Sequence, residues 1–132
     1  MTSLLLAEDD QDLRNLTAMV LARHGCDVTA TADGGVARGL IMGGAHFDVL
    51  VLDLDMPVCT GIEVARAARS AGHAGRIILW TGWDVSVEDP DLAGLDVRVL
   101  GKQDVSLLRA AVLEADPRRD PQAPEDATLP RS

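Results

Sequence analysis

Five short apolar runs, at residues 4–7, 26–30, 47–52, 77–80 and 97–100, punctuate the chain, and the stretches between them space their apolar residues as helices do. Runs of that length read as strands, and strands alternating with helical segments indicate βαβ units around a parallel sheet. The first helical pattern is the clearest. Leu13, Leu16, Thr17, Val20 and Leu21 follow a 3.6-residue period, Asp9 or Asp10 can cap its start, and Gly25 ends it with His24 set against the C-terminal dipole.

The later helical patterns differ in strength. Residues 34–44 carry glycines at 35, 39 and 43, each costing about 1 kcal/mol relative to alanine, so this helix is expected to be short or mobile. Residues 61–71 offer Ile62, Val64, Ala65 and Ala68 for packing, and residues 105–115 offer Leu107, Leu108, Ala111 and Val112. Between Trp83 and Leu95 the period fails, and Pro90 argues against a full helix. From Asp116 onward four prolines stand among charged and small residues without any apolar period, which predicts a disordered tail over 116–132 after one domain over 1–115.

Two apolar runs end in acids. LVLD closes on Asp53, and LLLA runs straight into Glu8, Asp9 and Asp10. Open α/β sheets bind ligands just outside the carboxyl ends of their strands. If the two runs are neighbouring parallel strands, these carboxylates converge, and each like-charged pair at about 4 Å costs roughly 4 kcal/mol at an effective dielectric near 20. Such a group calls for a proton or a cation, and hard divalent cations take oxygen ligands.

Composition narrows the class. The chain has 132 residues, 47% apolar and 25% charged, which fits one globular domain. No apolar run approaches the ~20 residues of a bilayer span and no signal-like segment opens the chain, so no membrane association and a cytoplasmic location are expected. A formal charge of −9 argues against direct nucleic acid binding, which needs clustered Lys and Arg. Cys26 and Cys59 have no metal-site spacing and read as free thiols; Cys59, near Asp53, is expected to be inert. His24, His46 and His73 share no ligand spacing and read as surface residues. Lys102 is the sole lysine of the chain.

In combination, the acids of AEDD, the D-x-x-M-P run from Asp53 to Pro57, Gly61 eight residues past Asp53, Thr81 closing IILWT, and Lys102 resemble the receiver domain of bacterial two-component response regulators. The resemblance implies a doubly wound, flavodoxin-like (βα)5 sandwich with parallel strand order 2-1-3-4-5. It implies that Asp53 is the phosphoacceptor for a histidine kinase or phosphotransfer protein, forming an acyl phosphate. Mg2+ would be held by Asp9 directly, Glu8 through water, Asp53, and the backbone carbonyl of Asp55. Thr81 and Lys102 would bind phosphoryl oxygens. Asp10 is left as a helix cap or outer acid. The output would be a protein–protein contact with a downstream target, made by a stand-alone signalling module that is not an enzyme beyond its own phosphorylation and dephosphorylation.

Several positions depart from that family. Gln103 follows the lysine where a proline is usual, Val99 stands where a switch aromatic is usual, and Pro90 disturbs the region of the fourth helix. Asp55 and Trp83 occupy positions that tune phosphoryl lifetime, and Trp83 is expected to prolong it. Two other readings compete: a receiver-like interaction module that works without phosphorylation, and a haloacid-dehalogenase-like phosphatase using Asp53 and Asp55 as its D-x-D. In the second, the acidic group would have to follow rather than precede that motif.

Overall fold

The structure, a computed structural model, describes residues 1–82, 92, 94–102 and 105–114. In chain order the elements are β1 (Thr2–Ala7), α1 (Gln11–Arg23), β2 (Cys26–Thr31), α2 (Gly34–Met42), β3 (Val49–Asp53), α3 (Gly61–Ser70), β4 (Arg76–Thr81), β5 (Val97–Gly101) and α4 (Val105–Glu114). The strands form one parallel sheet in the order β2-β1-β3-β4-β5, as expected. From β1 the chain steps outward to β2 and then crosses back to β3. The switch in direction therefore falls between the carboxyl ends of β1 and β3, where a doubly wound sheet opens its ligand crevice.

Alternation along the strands builds two cores. Leu5, Ala7, Leu50, Leu52, Ile77 and Leu79 face one side, against Ala37 and Ile41 of α2 and Val64, Ala65 and Ala68 of α3. Leu4, Leu6, Val49, Val51, Ile78 and Trp80 face the other, against Leu21 of α1 and Leu108, Ala111 and Val112 of α4. Both faces are covered, which is why the central strands are apolar without a polar alternate. In α1 the buried positions are Thr17 and Leu21, whereas Leu16 is 46% exposed. The period therefore reads one residue too wide: the packed stripe is narrow, and Leu16 sits beyond its edge.

Caps set the helix limits. Asp10 Oδ1 accepts the Leu13 amide at 3.0 Å to start α1, and Asp33 does the same for Val36 at 2.8 Å to start α2. Helix α3 opens with a reciprocal capping box between Thr60 and Glu63. The glycine-rich α2 spans nine residues, and the glycine at its start has a packing reason. A Cβ on Gly34 would lie 2.0 Å from the Cys59 carbonyl oxygen, so only glycine lets the start of α2 lie against the loop after β3.

Arg69 of α3 locks the approach to β5. Its guanidinium donates to the carbonyls of Leu95, His73, Gly75 and Asp96 at 2.7–2.9 Å. His73 departs from a surface role: it is half-buried, with Nε2 shielded from solvent, and burial lowers its pKa, helped by the nearby Arg69 charge. His24 and His46 are exposed. Neither Cys26 nor Cys59 forms a disulfide. Trp83, Pro90, Gln103 and the 116–132 tail lie outside the described residues, as does most of the segment expected to lack a full helix.

Candidate functional site

Strand alternation puts Glu8, one residue past β1, and Asp53, the last residue of β3, on the face shared by Val49, Val51 and Trp80. Both acids are buried: Glu8 is 0% exposed and Asp53 4%. Lys102, just past β5, reaches between them, with Nζ 2.7 Å from Glu8 Oε1 and 3.1 Å from Asp53 Oδ2. Its backbone amide donates to the Thr81 carbonyl at 2.8 Å, which ties the turn after β5 to the end of β4. Asp9 is exposed at the rim, and one carboxylate oxygen each from Glu8, Asp9 and Asp53 lie within 4.8 Å of one another.

The loop after β1 is held from several sides. The Glu8 amide donates to the Thr31 carbonyl at 3.1 Å, and Glu8 Oε2 accepts the Asp10 amide at 3.0 Å. Arg14, one turn into α1, donates to the Glu8 carbonyl at 2.9 Å and the Asp9 carbonyl at 3.5 Å. On the other side, the Asp55 amide donates to Asp53 Oδ1 at 3.3 Å. A Cβ on Gly61 would stand 2.5 Å from the Asp53 carbonyl oxygen, so glycine is required for α3 to begin so close to the end of β3. Val58, on the same loop, adopts φ 74° and is 81% exposed; a β-branched residue in the left-handed region is strained.

Burial, with the neighbouring acids Asp9 and Glu8 adding to it and Lys102 opposing, pushes Asp53 up to about 7. Asp9 is held below the usual carboxylate range chiefly by its hydrogen bond with the Asp53 carboxyl, which outweighs its own desolvation. Burial works against the Lys102 charge, but its hydrogen bonds to Glu8 and Asp53 prevail and raise its pKa. One lysine facing three acids leaves an excess of negative charge, met either by a proton on Asp53 or by a cation. The donors are all hard oxygens, and the open cleft of about 520 Å³ lined by Glu8, Asp9, Asp10, Leu13, Asp53, Asp55, Gly82 and Lys102 leaves room for the waters that Mg2+ retains. The residues fit that ion.

Of the residues expected at the site, Glu8, Asp9, Asp53, Asp55 and Lys102 share this cleft. Thr81 ends β4 beside them, 1% exposed, but Gly82 rather than Thr81 lines the cleft. Asp10 both caps α1 and lines the cleft. Arg14 and Trp80 went unread as site neighbours. Arg14 stands four residues past Asp10, a helical spacing that returns its side chain to the acidic loop. Trp80 immediately precedes Thr81 at the end of a strand, a place where an aromatic ring meets the site from below.

The fold and the site together define a doubly wound parallel α/β domain with buried acids and a lysine at its switch point. Residues 4–100 match the response regulator receiver domain, and the chain belongs to that family of two-component response regulators. It is 35% identical over 103 residues to the response regulator receiver protein CpdR of Brucella abortus (strain 2308), covering 77% of this chain and 85% of that protein. It is 37% identical over 70 residues to the transcriptional regulatory protein ResD of Bacillus subtilis (strain 168), covering 52% of this chain but 28% of that one. Among solved structures it is similar to the response regulator protein TrrA of Thermotoga maritima in complex with Mg(2+)-BeF, with TM-score 0.77, 25% identity and coverage of 87% and 99%. It is likewise similar to the Vibrio cholerae chemotaxis protein CheY4, with TM-score 0.76, 25% identity and coverage of 87% and 98%. Receiver domains of this family are signalling modules. Among the described residues no helix is long and apolar enough to cross a membrane.

Proposed function

We propose that the chain is a phosphorylatable receiver whose acceptor is Asp53. An Asp53 carboxylate oxygen attacks the phosphorus of a phosphohistidine on a histidine kinase or phosphotransfer protein. A P–O bond forms, the P–N bond breaks, and the electron pair leaves with the imidazole. The observation that carries this reading is the placement of the sole lysine 3.1 Å from Asp53 in a cleft with two further acids. Asp53 must be ionised to attack, and Lys102 favours that form while presenting a positive charge to an entering phosphoryl oxygen.

Asp9, Asp53 and the Asp55 carbonyl would hold Mg2+, with Glu8 acting through water, and the bound ion would supply charge neutralisation. The Thr81 hydroxyl donates to a phosphoryl oxygen. Residues 1–115 act as the receiver, with 116–132 as a tail outside it, and the signal passes to a downstream protein by contact. The −9 charge opposes direct binding of nucleic acid.

A second reading, a receiver-like module that works without phosphorylation, draws on Val99, which packs partly buried against the first core where the family's switch aromatic stands. Incubation with a small acyl or amido phosphate and Mg2+, followed by intact mass measurement, separates the two. Gain of one phosphoryl group, lost in Asp53→Asn, is expected; an unchanged wild-type mass refutes the phosphoacceptor reading.

A further inference from the structure

Trp80 is the one large aromatic residue in the second core, and its environment is unusual for an indole. The side chain is 0% exposed, and Nε1 has no hydrogen-bond partner among the described residues. A buried N–H without a partner is destabilising, and an aliphatic side chain there would avoid that cost. The ring therefore offers something an aliphatic side chain would not. Its neighbours show what. Trp80 pairs in register with Asp53 on one side and Leu100 on the other, so it lies directly beside the acid and beside the strand that leads to Lys102. The Lys102 ammonium stands 5.6 Å from the ring centroid, within the ~6 Å range in which a cation is attracted to an indole face.

We propose that Trp80 is a positioning residue: its ring face holds the Lys102 ammonium at Glu8 and Asp53, and so aligns the cation that meets the phosphoryl group. The Lys102 ammonium then has three restraints from three strands, namely Glu8 after β1, Asp53 of β3 and Trp80 of β4. The two carboxylates fix its distance, but both are also claimed by any cation that enters the cleft. The ring is not, because a π face does not compete for Mg2+ in water. When a divalent ion draws the acids away, Trp80 is the restraint that remains. This role rests on the phosphoacceptor reading for its consequence, though the contact itself does not.

Because Lys102 is the sole lysine, its side-chain signals can be observed without ambiguity. In a lysine-labelled sample the Lys102 Hε resonance is expected upfield of the ordinary lysine position, shifted by the ring current, with and without Mg2+. Trp80→Phe keeps most of the shift, and Trp80→Leu, which preserves an apolar filler, abolishes it. With a small acyl phosphate, Trp80→Leu is expected to phosphorylate about fivefold more slowly, the scale of one cation–π contact, with Trp80→Phe near wild type. In a Lys102→Ala background, Trp80→Leu should cause no further loss. An ordinary Hε shift in the wild type overturns the proposal, as does a fivefold loss that persists without the lysine. A wild type that shows the shift but takes no phosphoryl group supports the pairing and refutes the phosphoacceptor reading instead.

Discussion

Replacing Asp53 with asparagine should stabilise the metal-free protein at neutral pH, and by an amount that depends on pH. Burial raises the folded-state pKa of Asp53 from 3.8 to about 7, so the folded chain holds a proton that the unfolded chain has already released. The contribution of that proton is fully present below about pH 4 and is lost as pH rises toward 7. A shift of roughly 3 units corresponds to about 4 kcal/mol. The lowered pKa of Asp9 acts in the opposite sense but in a separate window, because its contribution is lost only as pH falls below the ordinary carboxylate value. Asparagine keeps the shape and does not titrate. Urea unfolding of wild type and Asp53→Asn across pH 4.5–7.5, with a chelator present, should therefore give curves that diverge steadily. At pH 7.5 the variant should be more stable by a few kcal/mol, on the order of 10 °C in thermal midpoint. Saturating Mg2+ should flatten the wild-type dependence by favouring the ionised form. Parallel curves would refute the reasoning, since they would mean that Asp53 ionises in the fold as easily as in the open chain.

Two other substitutions test the frame around the site. Arg69→Lys leaves an ammonium with three donors where four carbonyls are met by a fork, so a loss of about 1–3 kcal/mol is expected, seen as a lower urea midpoint at unchanged slope. An unchanged midpoint would show that the segment before β5 is held by its buried leucines alone. Val58→Gly removes a β-branched side chain from the left-handed region; relief of roughly 1–2 kcal/mol, less the extra freedom of glycine in the unfolded chain, should leave a gain near 1 kcal/mol. A lower thermal midpoint would show that Val58 contributes packing on Gly35 that outweighs its strain.

Much of the fold is legible in the chain because its strands are short, apolar and bounded by acids or glycines, and because parallel connections need a helix between them. The meeting of Glu8 with Asp53 follows from the same logic, since both end strands that flank the switch point. What periodicity does not reveal is depth. The acid that closes LVLD carries no sign in the sequence of its depth, yet Asp53 is buried, because Gly61 brings α3 close against it and Lys102 covers it. Lys102 itself lies beyond the residues that match the family, and its placement depends on the backbone bond from its amide to Thr81. Arg14 and Trp80 were hidden for a different reason: each acts through a contact across the sheet or back along a helix, and neither residue type announces that role. Leu16 misleads because α1 buries a narrower stripe, at Thr17 and Leu21, than its apolar content suggests.

The central claim is that one particular carboxylate accepts the phosphoryl group, and its most direct test is to locate that group. After phosphorylation by a small acyl phosphate with Mg2+, reduction with borohydride converts an aspartyl phosphate into homoserine, which peptide mass mapping assigns to a residue. The account predicts homoserine at position 53 alone, with Lys102→Ala reducing its yield. Homoserine at Asp9, Asp10 or Asp55, or none at any position in a folded, Mg2+-saturated protein, would contradict it.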